Sequence, residues 1–444
     1  MKTFSKTALV LAVSLALPTM TFSSNSHAYQ LSKQQVIQDI TYLASDELKG
    51  RASFSPEIDK AAEYIGKRFA EIGLVPLAGE KSFLQTFSIT NIQPKSLTVT
   101  LNGKAVASEN LGMASTLKQL HWQKNSDGLQ THFVGEADDM RAKLSELNQM
   151  GGEHLVIIHS KHKRLFHGYA NYFSRGLNKL SLEHPGAIVM VMSDEPKIDS
   201  FEINAETQHK VQQLTNVVGV LKGHNKPNEN VLFSAHYDHL GAGGEGEDII
   251  YNGADDDASG TTAVINLAEH YAKQGNNNRT AIFSAFTAEE IGGFGSKYFS
   301  EQLDPNSVVA MMNIEMIGKP SKFGAGRVWM TGMDRSNLGE LLNQSLPGDD
   351  AKIHADPYPE QNLFYRSDNA TLARLGVPAH SFSSTQLDKD KHYHQVSDDL
   401  ASLDLESFYQ VIHNLSIASQ GLVDGSITPT RVDTSKVRAK GKIY

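Results

Sequence analysis

The feature that most constrains the fold is an alternation of short apolar segments with a helical segment after Asn216. Four segments have the length and apolar content of buried strands, at residues 217–221, 231–235, 280–286 and 308–314. Residues 258–273 have the spacing of a helix. Strands that alternate with helices of this length favour a parallel sheet covered on both faces. The sequence therefore predicts an α/β fold, a mostly parallel mixed sheet flanked by helices.

The rest of the chain divides by the period of its apolar residues. Residues 29–87 have helical spacing and form the N-terminal part of the main domain, whose core is predicted at residues 209–425. Residues 88–208 contain short strand candidates, at 96–101, 155–159 and 186–192, and are predicted to be an inserted β-rich domain. Residues 426–444, with Pro429 and several basic side chains, are interpreted as a flexible tail.

The first 28 residues have the pattern of a secretory signal peptide. Lys2 and Lys6 provide a positive start, residues 8–17 are apolar, and Ser26-His27-Ala28 has the form of a cleavage site. A membrane anchor is the alternative, but the apolar run is shorter than the roughly 20 residues that span a bilayer. The pattern predicts export, to the periplasm or the medium, with no membrane attachment after cleavage.

Composition excludes several classes of protein. The formal net charge is −9, and no basic block interleaved with aromatic residues occurs in the predicted folded portion, so nucleic acid is not an expected partner. The chain has no cysteine, which excludes disulfides, thiol catalysis and thiolate metal sites. A metal site in this chain would need His, Asp and Glu ligands. The sequence leaves the oligomeric state open.

Polar clusters follow the predicted strands. His236 and Asp238 come directly after residues 231–235, on the same side of the extended chain, where α/β folds place ligands. Three adjacent carboxylates, Asp255, Asp256 and Asp257, precede the predicted helix and repel one another, so a cation would compensate them. Each cluster by itself is also compatible with an exposed loop or an acidic helix start.

Further candidates follow the next two strands. Glu289 and Glu290 come after residues 280–286, and two neighbouring glutamates can divide metal binding and proton abstraction between them. Glu315 lies in an otherwise apolar run, where a carboxylate must be paired or bound to metal. His394 lies in a polar loop. The order His, Asp, Glu-Glu, acid, His at successive strand ends is what two metal ions sharing one bridging carboxylate need.

These residues lie in motifs that resemble those of a known family. The motifs are HYDHLG from His236, NGADDDASG from Asn252, TAEEIGGFGS from Thr287, MNIEMIG from Met312 and YHQVSDD from Tyr393. They resemble the ligand motifs of the co-catalytic zinc aminopeptidases of peptidase clan MH, which includes secreted bacterial leucyl aminopeptidases and glutamate carboxypeptidase II. LASDELKGR, GVLKG and RSDNATLARLGVPAHSF also resemble family segments, and the insert loosely resembles a protease-associated domain.

The resemblance implies a role for each position. His236 and Glu315 would hold one zinc ion, Glu290 and His394 a second, and Asp256 would bridge the two. Asp238 would orient the imidazole of His236. Glu289 would be the general base that takes a proton from the attacking water and passes it to the leaving amine of a peptide substrate.

The sequence leaves three alternatives to an aminopeptidase. The family's aminopeptidases usually have Asp at the position of Glu315, whereas Glu is typical of related carboxypeptidases, for which Arg366 is a candidate to bind the terminal carboxylate. A glutaminyl cyclase shares the fold but typically binds one zinc ion, which disagrees with the five-ligand set. A binding module without enzymatic activity would be expected to lack some ligands or the base.

Overall fold

A computed structural model describes residues 30–195, 197–348 and 352–444 of the 444-residue chain. The predicted signal peptide lies outside the described residues. Among the residues described, no helix has both the length and the apolar character needed to cross a membrane.

The described residues include ten α-helices and eighteen strands. The helices are α1 (Lys33–Leu43), α2 (Pro56–Ile72), α3 (Met140–Met150), α4 (Lys163–Ser174), α5 (Gly260–Gln274), α6 (Phe294–Glu301), α7 (Leu338–Gln344), α8 (Asn369–Ala373), α9 (Leu405–Ala418) and α10 (Gln420–Asp424). The strands are β1 (Val75–Pro76), β2 (Leu84–Leu101), β3 (Lys104–Ala105), β4 (Leu111–Ser115), β5 (Gln119–Gln123), β6 (Leu129–Val134), β7 (Glu153–Ile158), β8 (Leu177–Lys179), β9 (Ala187–Met192), β10 (Phe201–Leu221), β11 (Lys226–His236), β12 (Gly241–Ala242), β13 (Ile250–Tyr251), β14 (Arg279–Phe286), β15 (Val308–Ile314), β16 (Val328–Met330), β17 (Ile353–Ala355) and β18 (Ala379–Ser383).

A mixed sheet flanked by helices forms the main domain, which confirms the predicted fold class. Its strand order is β17-β16-β18-β15-β11-β14-β10-β2-β3. The central strands β14, β11, β15 and β18 are parallel to one another, whereas β10 pairs antiparallel with β14. Because parallel neighbours end at the same edge, the carboxyl ends of these four central strands lie side by side.

Central strands are buried on both faces. All eight residues of β14 are buried, and α5 packs in the same core through apolar side chains such as Val264 and Leu267. The predicted helix start at residue 258 is two residues early, since α5 begins at Gly260. The preceding residues, including the three aspartates, form an irregular turn with non-helical backbone angles at Asp256 and Asp257. This turn brings carboxylates to the sheet edge.

Residues between β2 and β10 form a second, smaller unit. β4, β9, β7 and β6 make a four-stranded sheet in that order, and α3 and α4 belong to the same segment of chain. β6, β7 and β9 are mutually parallel, and β4 is antiparallel. The insert predicted as β-rich therefore contains helices as well as strands. The long antiparallel pairing of β2 with β10 connects it to the main sheet.

The segment after Gly425, for which the sequence pattern indicates a flexible tail, contacts both units in the structure. Arg431 Nη1 donates to the carbonyl of Val308 at 2.8 Å in the main domain. At the far end, Ile443 is fully buried among apolar residues of the insert. Asn148 of α3 accepts hydrogen bonds from the backbone N–H groups of Ile443 and Tyr444 at 2.8 and 2.9 Å. Apolar burial and these bonds order the segment.

His380, in β18, predicts a pH dependence of stability. Burial lowers the pKa of this imidazole to about 4, and its ring nitrogens lie 2.8 Å from Thr331 O and Ser336 Oγ. Between pH 6.5 and about 4, His380 binds a proton in the unfolded chain but stays neutral in the folded chain. Above pH 6.5 the imidazole is neutral in both states and does not lower the free energy of unfolding. As the pH falls to 4, protonation of the unfolded chain lowers the free energy of unfolding by about 3 kcal/mol.

We expect His380→Asn to reduce the loss of stability between pH 7.5 and 4.5. Urea unfolding of the metal-free wild type and variant at both pH values measures the difference, and a chelator keeps metal release out of the comparison. Equal pH dependence in the two proteins would contradict the prediction.

Candidate metal centre

Side chains from the ends of the central strands meet at one edge of the sheet. His236 is the last residue of β11, Glu289 and Glu290 follow β14, and Glu315 directly follows β15. Asp256 reaches the same place from the turn before α5, and His394 from the loop after β18. The structure thus brings together the five residues that the sequence proposes as metal ligands.

The first group of possible ligands consists of His236, Asp256 and Glu315. One ligand atom from each lies within 4.8 Å of the other two. His236 Nε2 is 3.2 Å from Asp256 Oδ1, but this buried nitrogen has no hydrogen-bond partner in the described structure. An unpaired buried nitrogen that faces carboxylates is what a site for a divalent cation presents.

The second group uses the other oxygen of Asp256. His394 Nε2 lies 3.2 Å from Asp256 Oδ2 and 3.3 Å from Glu290 Oε2. A tetrahedral zinc ion, with ligand distances of about 2.0–2.1 Å, separates its ligand atoms by about 3.3–3.4 Å. These spacings fit one metal ion. One oxygen of Asp256 faces each group, so its carboxylate lies between the two groups.

The electrostatics of the edge also fit bound cations. Burial raises the pKa of Glu315 to about 7, and nearby His236 opposes this rise. Burial likewise raises the pKa of Asp257 well above its usual value. Divalent ions would compensate this concentration of buried carboxylates. The donor set, nitrogen and oxygen atoms without sulfur, is one that zinc accepts.

Glu289 is placed beside both groups. Its backbone N–H donates to Asp238 Oδ1 at 3.0 Å, and its side chain lines the cavity described below. Burial raises the pKa of Glu289 well above its usual value, an effect that the nearby His236 opposes and Glu315 reinforces. A carboxylate held near metal ligands, with a raised pKa, is suited to accept a proton.

Asp238 contacts a different partner from the one the sequence indicated. The Nδ1 atom of His236 lies 3.1 Å from the main-chain carbonyl of Asp238 but 3.8 Å from its carboxylate. That carboxylate accepts instead from the backbone N–H groups of Glu289 and Glu290, at 3.0 and 3.3 Å, and from Ser53 Oγ at 3.2 Å. Asp238 therefore orients His236 through its backbone, and its side chain holds the Glu289–Glu290 turn.

Two residues have supporting roles that the sequence did not assign to them. Asp257 accepts from the backbone N–H groups of His236 and Met316, at 3.3 and 3.1 Å, and so joins the ends of β11 and β15. Arg51 is fully buried and donates to the carbonyls of Tyr237 and Gly253, at 2.9 and 3.0 Å. The acidic triplet and the LASDELKGR motif contained these residues, but their long-range partners are set by the fold.

His239 was also missed, although it lies within the HYDHLG motif. It is buried, and its Nδ1 atom is 2.8 Å from Glu290 Oε1. With Asp256 and Glu290 it forms a further possible ligand group, in which one ligand atom from each residue lies within 4.8 Å of the other two. Its spacing of three residues from His236 in a motif already assigned to the site was the signal that could have identified it.

A cavity of about 350 Å³ opens beside the two groups. Its lining includes Glu289, Glu290 and His394 as well as the apolar side chains of Trp329 and Leu363. Arg366 also lines it, and its Nη2 lies 3.5 Å from the hydroxyl of Tyr393. The cavity is thus large enough for one or two amino-acid side chains next to the candidate metal ligands.

Comparison with known proteins identifies the class of this domain. Residues 216–418 match the sequence profile of peptidase family M28, so the chain contains an M28 metallopeptidase domain. The matched range contains every candidate ligand described above.

Particular relatives agree with this class. A probable zinc metalloprotease from Pyrenophora teres f. teres is 24% identical over 184 residues, which cover 41% of this chain and 37% of the relative. Aminopeptidase Y of Saccharomyces cerevisiae is 26% identical over 197 residues, or 42% of this chain and 34% of the relative. The chain thus matches little more than a third of the length of these curated relatives.

Solved structures share the fold over almost the whole chain. An aminopeptidase from Aneurinibacillus sp. strain AM-1 is 18% identical with a TM-score of 0.53, and the similarity covers 92% of this chain and 97% of that one. A zinc aminopeptidase from Bacillus subtilis is 16% identical with a TM-score of 0.53, over 93% of this chain and 99% of its own. At these sequence identities, the structural similarity shows that the fold is shared.

Proposed function

We propose that this chain is an exported aminopeptidase that uses two zinc ions to remove N-terminal residues from peptides. The observation that carries the proposal is the placement of Asp256, with Oδ1 facing His236 and Oδ2 facing His394. Glu289 lines the adjoining cavity, where a peptide bond could lie against both groups. The M28 domain and the aminopeptidase relatives support the same activity. Export rests on the sequence pattern of residues 1–28.

The chain's own residues have distinct tasks in this reaction. His236, Glu315 and Asp256 would hold one zinc ion, and Glu290, His394 and Asp256 would hold the other. When bound, zinc polarises the scissile carbonyl and lowers the pKa of a water molecule. The carboxylate of Glu289 accepts a proton from the attacking water and donates it to the leaving amine. Asp238 keeps Glu289 in place through the bond to its backbone N–H.

A carboxypeptidase is the second candidate, and Arg366 is the observation that favours it. This guanidinium lines the same cavity as Glu289 and His394 and is exposed. Arginine binds a carboxylate through two parallel hydrogen bonds, so it could hold a peptide's C-terminus. The nearby Asp390 also lines the cavity and could instead hold a free amine, although its carboxylate is paired with Lys319 at 3.0 Å.

Metal analysis and paired substrates distinguish these functions. We expect protein lacking residues 1–28 to contain about two zinc ions and to release the first residue from carboxyl-blocked aminoacyl chromogenic peptides. A chelator should abolish turnover, and added zinc should restore it. Cleavage only of N-blocked peptides with a free C-terminal carboxylate would replace the proposal with the carboxypeptidase. Absence of both metal and turnover would contradict both enzymatic functions.

A further inference from the structure

We infer that His239 is a positioning residue for the second metal ion: its Nδ1–H group holds the carboxylate of Glu290 in the orientation that binds the ion. This inference deepens the proposed function and rests on it. Two atoms of Glu290 are used differently. Oε2 lies 3.3 Å from His394 Nε2, the separation of two ligands of one zinc ion, whereas Oε1 lies 2.8 Å from His239 Nδ1.

The distances distinguish a hydrogen bond from ligation. An N–H···O bond has a donor–acceptor distance that is most often about 2.9–3.0 Å, whereas ligands of one zinc ion lie about 3.3–3.4 Å apart, close to the 3.2 and 3.3 Å that separate His394 Nε2 from Asp256 and Glu290. His239 Nδ1 is 2.8 Å from Glu290 Oε1 and 3.9 Å from Asp256 Oδ2. His239 Nδ1 is therefore close to Oε1 of Glu290 and far from the carboxylate of Asp256. This is expected for a residue that contacts a metal ligand rather than the metal itself.

The protonation of the ring follows from its neighbours. A carboxylate oxygen only accepts, so His239 Nδ1 must carry the proton that joins it to Glu290. The other ring nitrogen, Nε2, is buried and has no hydrogen-bond partner in the part of the chain that the structure describes. A buried unpaired acceptor costs about 1–3 kcal/mol. Among the described residues, the ring nitrogens of His239 therefore make one hydrogen bond, from Nδ1–H to Glu290.

The backbone around His239 is arranged to hold the ring in this position. Its N–H donates to the carbonyl of Arg51 at 3.2 Å. Gly253, with a positive φ of 57°, packs against the ring so closely that an added Cβ would lie 2.5 Å from His239 Cδ2. Any other side chain at residue 253 would displace the imidazole. The backbone bond to Arg51 and the close packing of Gly253 together fix the position of the ring. They thereby also fix its bond to Glu290.

The experiment measures zinc binding to the metal-free full chain by calorimetry and chelator competition, independently of turnover. We expect His239→Ala to leave the first zinc ion unchanged and to weaken the second by about 10- to 100-fold, the usual effect of removing a residue that orients a ligand. His239→Asn places an amide N–H near the position of Nδ1, and we expect it to restore most of the affinity. His394→Ala, which removes a ligand, should weaken the second ion more than His239→Ala.

Two controls keep the outcomes separate. Urea unfolding of the metal-free proteins tests whether His239→Ala still folds, and His239→Asn provides the comparison if it does not. X-ray absorption of the zinc-loaded wild type should show one imidazole per zinc ion, from His236 and His394. Three imidazoles per two ions would make His239 a ligand and overturn the inference, as would unchanged affinity in His239→Ala. A wild type without a second zinc ion would instead overturn the proposed function.

Discussion

Replacing Glu289 with Gln is expected to lower kcat by about 10²- to 10⁴-fold while the zinc content stays unchanged. The amide has nearly the shape of the carboxylate but cannot accept the proton of the attacking water, and proton transfer by a positioned side chain contributes about this factor. Glu289 belongs to neither group of candidate ligands, so metal binding should survive. Steady-state kinetics on a carboxyl-blocked aminoacyl substrate, with elemental analysis of the same sample, measures both quantities.

Glu206→Gln is the matched control for this variant. Glu206 is exposed on the part of β10 that pairs with β2, and its carboxylate lies 3.5 Å from Lys95. The same chemical change at this surface position should leave kcat within about twofold of the wild type. If Glu289→Gln kept full activity, or lost its zinc together with its activity, the role of general base would have to be assigned to another residue.

Asp256→Ala is expected to have the larger effect on metal binding. Both groups of ligands share this carboxylate, so its loss removes one ligand from each zinc ion. We expect the zinc content to fall from about two to below one per chain after dialysis, and turnover to fall by at least about 10³-fold. Elemental analysis after dialysis against buffers of graded zinc concentration separates weakened binding from complete loss.

Asp248→Asn provides the control for the loss of one negative charge outside the set of candidate ligands. Asp248 is exposed in the loop before β13 and accepts only from the backbone N–H of Ile250 among the bonds described. Its replacement should leave zinc content unchanged. Retention of two tightly bound ions by Asp256→Ala would show that the carboxylate does not bridge, and the two groups would then have to be independent sites.

Much of the fold could be predicted because the central strands are short and apolar. The predicted strands at 231–235, 280–286 and 308–314 lie within β11, β14 and β15, where burial on both faces requires continuous apolar runs. The pattern in the insert is weaker. Its helices α3 and α4 have mixed polar surfaces and short strands around them, so the local pattern did not show that they pack against a separate sheet.

By itself, the sequence determined which residue types stand at the ends of the buried strands, and therefore that His236, Glu290 and Glu315 would meet at one edge. Parallel strands end together, and a carboxylate next to an apolar run requires a charged partner.

Only the tertiary structure decided how the side chains at that edge divide their contacts. It placed the carboxylate of Asp238 against the Glu289–Glu290 turn and His239 against Glu290, across about fifty residues of sequence. Such contacts depend on side-chain rotamers and on the packing of Gly253 and Arg51 behind the site. Neither leaves a local pattern in the sequence, because the partners become neighbours only when the sheet has formed.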